Sequence, residues 1–296
     1  MKRKDAKKVK DIDGLHNILI DLKPRRCDSD VYINQKIDMT NLVKYIEKKK
    51  KENKDLKITY FHAMAMAFAK LFYNNKLLNR FICDRTTYER NDVIIAFIAK
   101  IAFDDKSEEI MINIKVDKDD NIYDISRKIS QKVNKIRNNK EVKKENTNSI
   151  VDIVGKLPKI IRVPLMGIFK FLDRKGMLPE SFTKDNLYYS SVILSNLGNL
   201  KIGSIYHNLT NFGTSSFLAT IGLIHKETIV DNKGKEKIVD ICDFGINCDE
   251  RIADGYYFAK SIKMFEYIIE NPELLEDRAC EKVEVKKWRK AMDKIL

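Results

Sequence analysis

The stretch Asn247-Cys248-Asp249-Glu250-Arg251-Ile252-Ala253-Asp254-Gly255 decides how this 296-residue chain is read. Before it, residues 237–247 are rich in β-branched and apolar side chains. After it, residues 255–270 place apolar residues at helical spacing. The stretch is thus expected to join a strand to a helix, where side chains are held rigidly at the mouth of a sheet. Read on charge alone, its ionisable residues suit a helix N-terminus. Asp249, Glu250 and Asp254 complement the positive end of the helix dipole, and Arg251 pairs with one of them.

Working outward, Asn271-Pro272 closes the helix, and residues 282–295 read as a basic terminal helix. That helix packs Val285, Trp288 and Met292 on the domain and leaves its lysines in water. Upstream, residues 217–226 and 237–247 read as strands joined through a turn at Asn232-Lys233-Gly234, and residues 188–195 as another strand. Residues 88–103 and 109–116 are two more. Residues 124–137 form an amphipathic helix with Ile125, Ile129, Val133 and Ile136 inside, followed by a polar connector over 138–148. Residues 150–172 are helical with breaks expected at Pro158 and Pro164. Thr59 caps a helix in which Phe61, Ala65, Phe68 and Phe72 recur and every face is fairly apolar, so it should be buried, with His62 inside it a hydrogen-bonded or half-exposed histidine and not a ligand. A shorter helix opens at Asp38 and ends in Lys48–Lys51, a solvated helix end. Strands and helices mix without strict alternation, which predicts an α+β fold around a mixed or antiparallel sheet.

Composition limits the function classes. With 44% hydrophobic and 33% charged residues the chain can bury a full core, and 11 Gly and 5 Pro exclude a fibrous or disordered protein. A net charge of +13 raises nucleic acid and anionic ligands as partners, but the two ends supply 8 of those charges and lysine is abundant throughout, so the reading is against nucleic acid as the partner. Five scattered cysteines form no C-x-x-C pair, which points to reduced thiols in a cytoplasmic protein. The apolar stretch near Leu15–Leu22 contains Asp21 and makes a poor signal peptide. The one at 163–172 is about half of a membrane span. Residues 1–14 are expected to be a basic disordered tail, 15–280 the folded domain and 281–296 the basic helix packed on it.

Asp249–Gly255, its helix and Asn271-Pro272-Glu273 resemble the D-H-R-x-x-D-G…N-P-E signature of the catalytic domain of 2-oxoacid dehydrogenase acyltransferases. They are also similar to the H-x-x-x-D-G motif of chloramphenicol acetyltransferase. Upstream, Ile37-Asp38-Met39-Thr40-Asn41-Leu42, Lys57-Ile58-Thr59, Leu78-Asn79 and Ile193-Leu194-Ser195-Asn196-Leu197-Gly198 resemble further elements of the family in the same order, and Gly213 and Gly222 fall where its strand-associated glycines stand. The resemblance spans roughly residues 24–275. It implies a chloramphenicol acetyltransferase-like two-layer sandwich, a mixed sheet flanked by helices. It also implies a homotrimer with its site in a channel between subunits, and coenzyme A as cosubstrate without a metal. In the family a histidine deprotonates a thiol, amine or hydroxyl acceptor that attacks an acyl thioester, while a hydroxyl stabilises the oxyanion. Carried over by residue, Ser195 is the hydroxyl, with Asn196 beside it. Asp254, followed by Gly255, is the aspartate that orders the site through an arginine, for which Arg25 or Arg26 is the candidate.

At the histidine position this chain has Glu250. A histidine base facing a thiol works against a gap of about 2 pK units and an ordinary glutamate against about 4, near 3 kcal/mol of difference. Burial would narrow that gap; Arg251 and the helix N-terminus would widen it. A second source of imidazole is His207, which follows the Ser195 strand and is expected to fold back. His225 ends a strand, and His16 lies near the tail. No swinging lipoyl domain is encoded, so a lipoyl donor would have to arrive on another chain. The alternative reading is a catalytically inactive homologue that binds CoA thioesters or assembles with an active partner. No glycine-rich phosphate loop, H-E-x-x-H or G-x-S-x-G is present.

Overall fold

The computed structural model describes residues 3–52, 57–100, 109–138, 153–230 and 233–284. Nine strands lie among them: β1 (Ala6–Lys8), β2 (Asp30–Asp38), β3 (Arg80–Cys83), β4 (Thr86–Arg90), β5 (Val93–Lys100), β6 (Glu109–Val116), β7 (Val192–Asn196), β8 (Phe217–Val230) and β9 (Glu236–Asp249). The principal helices are α1 (Gly14–Leu22), α2 (Thr40–Glu52), α3 (Tyr60–Asn74), α4 (Ile122–Asn138), α5 (Lys159–Arg174), α6 (Glu180–Thr183) and α7 (Gly255–Glu270).

The main sheet has six strands in the order β2-β9-β8-β7-β5-β6. β7 runs parallel to both of its neighbours and every other pair is antiparallel, so the sheet is mixed as the sequence predicts. Alternation sets its two faces. Phe217, Ala219 and Ile221 of β8 and Phe244, Ile246 and Cys248 of β9 point to one side, into the main core under α2, α3, α4 and α7. Phe68 of α3 stacks there on Phe265 of α7 with ring centres 4.4 Å apart. Thr59 caps α3 by accepting from the His62 N–H (3.3 Å), and the buried His62 ring bonds Ser126 Oγ (2.9 Å), the satisfied core histidine expected. The second face carries a smaller cluster, Ala96, Ile193 and Leu218 with Leu187 and Leu209.

The segment after β7 crosses that second face. Thr220 Oγ1 donates to the Ile205 carbonyl and accepts from the Ile205 N–H. The crossing runs close over two glycines. A Cβ on Gly222 would lie 2.8 Å from the Ser204 nitrogen, and one on Gly245 would strike the Ile205 carbonyl, so only glycine leaves room for the passing backbone.

Several boundaries differ from the sequence reading. Part of the supposed tail, residues 1–14, is structured. Ala6–Lys8 pairs with β4, and the buried Arg3 reaches Asp5 and the Asp173 carbonyl. Three residues are too few to show a period, and it is the side-chain anchor that holds them. Residues 88–103 divide at Asn91-Asp92 into β4 and β5, and 101–103 lie outside the described residues. The strand expected over 188–195 shortens to β7 because Leu187–Tyr189 forms a 3₁₀ turn. The break expected at Pro158 is present, between helical residues 153–156 and the start of α5, but Pro164 sits inside α5 without ending it, on a helix whose Ile160 and Val163 are solvent-exposed. The connector over 138–148 lies outside the described residues apart from Asn138, the last residue of α4, as does all but the start, residues 282–284, of the expected terminal helix.

Candidate active site

β9 ends at Asp249 and α7 begins at Gly255, so the motif forms the strand-to-helix junction the sequence predicts. Asp254 is the cap: its Oδ1 accepts from the Tyr257 N–H at 2.7 Å. Asp249 is fully buried and gripped by Arg251 through two bonds, Nε at 2.8 Å and Nη2 at 2.7 Å. Arg26 adds a longer contact, its Nε 3.8 Å from Asp249 Oδ2. Arg26 also donates to the carbonyls of Thr210 (2.7 Å) and Gly213 (3.0 Å). Burial pulls the Arg26 guanidinium down from its usual range, and the Asp249 charge opposes that pull. Across the strand pair Asp30 faces Asp249, and burial first, then that neighbouring carboxylate, push the Asp30 carboxyl up to about 6 against its bond from the Leu209 N–H.

The junction is tied to α1. Arg251 Nη1 donates to the Lys23 carbonyl at the end of α1 (2.8 Å), and the Glu250 N–H donates to the Ser29 carbonyl (3.0 Å). The Glu250 side chain is about 30% exposed, and Lys23 Nζ donates to its Oε1. Glu250 lines a pocket of about 220 Å³ between α1 and the junction. Its walls are mostly apolar, Leu15, Leu19, Val31, Ala253 and Phe258, with His16, Glu250 and Asp254 as the ionisable groups. That combination suits an uncharged arm or acyl group brought up to a proton-accepting end.

The other sequence-derived residues separate. Ser195 is half-buried on β7, in register with Thr220 of β8 and through it with Gly245 of β9. Five residues of strand and two interstrand steps then divide it from Glu250, roughly 19 Å within one chain. Asn196 serves the turn after β7, accepting from the Gly198 N–H (3.2 Å). The segment of His207 does fold back across the sheet, but His207 is not among the residues lining the junction pocket. It is exposed on the crossing segment, whose Asn208 accepts from the Tyr32 hydroxyl (2.8 Å). Neither candidate arginine meets Asp254. Arg25 pairs with Asp28 at the surface (2.7 Å), and the buried Arg26 turns inward to the carboxylate buried with it, Asp249, while the exposed Asp254 caps α7. Gly255 opens α7 with nothing close to its Cα, so no crowding calls for glycine there. Between the two arginines and Asp28, Cys27 is exposed, with Asn211 Nδ2 donating to its sulfur (3.0 Å).

Sequence reasoning missed His16. Asp13 caps α1 by accepting from the His16 N–H (3.0 Å), and the other oxygen of the same carboxylate lies 2.7 Å from His16 Nδ1. The available signal was the Asp13-x-x-His16 spacing, one helical turn, but nothing local tells which surface that turn meets. Among the described residues no group of three or more His, Cys, Asp or Glu side chains is placed to hold a metal ion, and no helix is long and apolar enough to cross a membrane.

No family model matches the chain, and no curated protein matches it by sequence. Solved structures do. A probable dihydrolipoamide acetyltransferase from Listeria monocytogenes is 18% identical with a TM-score of 0.58, over 90% of this chain and 95% of that one. The dihydrolipoamide acetyltransferase of Azotobacter vinelandii, whose serine, histidine and asparagine have been investigated for their catalytic role, is 12% identical with a TM-score of 0.58, over 90% and 94%. A chloramphenicol acetyltransferase is 9% identical with a TM-score of 0.53, over 90% and 98%. The chain therefore has the fold of these acyltransferase catalytic domains, with a mixed sheet covered by helices.

Proposed function

We propose that this chain is a CoA-dependent acyltransferase that moves an acyl group between CoA and a thiol, amine or hydroxyl acceptor, with Glu250 where the fold's relatives keep a histidine. The observation that carries the reading is the pocket at the β9–α7 junction, where Glu250, about 30% exposed, lines a space with mostly apolar walls. The distance between Ser195 and Glu250 within one chain supports a homotrimer in which Ser195 of a neighbouring copy completes the site. Leu200, Ile202, Ile205 and Tyr206, exposed on the segment that follows Ser195, supply apolar surface for such contacts. In this reading CoA brings the acyl thioester and Ser195 donates its hydroxyl to the developing oxyanion. The acyl donor reaches the chain as free acyl-CoA or on a lipoyl domain of another protein, and the site of action is the cytoplasm.

A second reading, an inactive homologue that binds CoA thioesters or serves as an assembly partner, is favoured by one contact. Lys23 donates to an oxygen of Glu250, so the carboxylate is engaged in an ion pair within the chain. The test is release of free thiol from acetyl-, propionyl- and longer acyl-CoA in the presence of thiol, amine and hydroxyl acceptors. Acyl transfer predicts turnover that falls about 10²-fold or more in Ser195→Ala, the size of one lost oxyanion donor. Tight CoA binding with no turnover would leave the inactive homologue.

A further inference from the structure

We propose that His16 is the general base of this site, an imidazole delivered from α1 that does the work Glu250 is poorly placed to do. The inference rests on the acyl-transfer reading and names the group that carries its proton.

Four observations converge on it. The pocket that contains Glu250 and Asp254 also contains His16. The His16 side chain is only 22% exposed, and it shares the pocket lining with Ala253 and Phe258 of the junction and α7. Its Nδ1 is held at 2.7 Å by Asp13, whose other oxygen is fixed by the His16 N–H. A carboxylate at Nδ1 sets the tautomer with hydrogen on Nδ1 and leaves the Nε2 lone pair for a ligand. Finally, α1 does not float over the pocket, because the buried Arg251 grips the Lys23 carbonyl at its end. The other histidines are committed elsewhere: His62 to Ser126 in the core, His207 to the exposed crossing segment, and His225 beside Glu227.

The ionisable groups that line the pocket with His16 are Glu250 and Asp254 from the junction, with Asp13 on the ring's Nδ1 and Lys23 on Glu250. The step balances. His16 Nε2 takes the proton of the acceptor thiol, amine or hydroxyl, and the acceptor atom bonds to the thioester carbonyl carbon. The tetrahedral oxyanion collapses with cleavage of the carbon–sulfur bond, and the imidazolium returns the proton to the CoA sulfur. Acyl-CoA and acceptor become acylated acceptor and free CoA, with no oxidant or reductant.

The experiment measures acyl transfer by the full-length protein across pH. His16→Gln is expected to lower kcat by about 10²-fold or more while KM stays within a few-fold. Glu250→Gln should cost less than His16→Gln, and His225→Gln should leave turnover unchanged. Added imidazole should restore part of the turnover of His16→Gly. Asp13→Asn should displace the pH limb that His16→Gln abolishes, which a merely structural role of the helix would not do. Wild-type turnover that survives in His16→Gln overturns the proposal and leaves the acyltransferase reading standing. A failure of imidazole to rescue together with an unmoved pH limb also overturns it. A wild type inert with every acyl-CoA defeats the acyltransferase reading itself, and His16 as its base falls with it.

Discussion

Asp249 and Glu250 are joined by one peptide bond and live in opposite surroundings. Asp249 is sealed from water and held by Arg251 and Arg26, whereas Glu250 opens on a pocket and meets a single flexible lysine. Successive residues at the end of a strand point to opposite sides, so one short motif supplies both a buried clamp and a group within reach of a ligand. The clamp fixes β9, α7 and the end of α1 relative to one another, and the pocket forms where those three meet. Rigidity and accessibility are thus assigned to neighbouring residues, and the same alternation keeps each from compromising the other.

The contrast can be broken from the buried side first. Asp249→Ala leaves two buried guanidinium groups without their carboxylate and should cost about 3–5 kcal/mol in urea or guanidinium unfolding. A cost below about 1 kcal/mol would show that the clamp is not what holds the junction. Asp30 tests its electrostatic surroundings. Its carboxyl titrates near 6 in the folded chain against about 3.9 unfolded, so the folded state binds the proton more tightly, and its contribution to stability is lost as pH rises from about 4 to about 6. Asp30→Asn keeps an acceptor for the Leu209 N–H and should flatten that slope by about 1–2 kcal/mol at most once solvent screening is allowed for. An unchanged slope in denaturation series at several pH values would remove Asp30 as its source. On the open side, Lys23→Ala breaks a half-exposed ion pair and should change stability by less than about 1 kcal/mol. If it matched Asp249→Ala, the two halves of the motif would be equivalent after all.

The elements read correctly from sequence are those whose period is long and apolar. α3 shows its buried faces through Phe61, Phe68 and Phe72, and α7 and the β8–β9 pair stand out for the same reason. β2 escaped because it is an edge strand: Val31, Ile33 and Ile37 alternate, but Gln35 interrupts the apolar face and the other face mixes Asp30, Lys36 and Asp38 with Tyr32 and Asn34. In the candidate site, the junction and its cap were legible since both follow from neighbours in sequence. The Arg251 pairing with an acid was legible too, although which acid depended on burial. Arg26 and His16 were not, because their partners, Asp249 and the junction pocket, come from residues more than two hundred positions away. His207 is a related case, since its segment folds back as expected but its side chain stays exposed there. Nothing local to it reports that Gly222 and Gly245 draw its segment across the sheet.

Cys27 gives all this a practical handle. Cys83, Cys242 and Cys248 are buried and Cys280 is half-covered, so among the described residues it is the one fully accessible thiol. A maleimide fluorophore attached there would sit beside Arg26 and a few residues from Lys23, outside the pocket lining. Its brightness would report in real time on traffic at the junction, with every ionisable group of the pocket left intact.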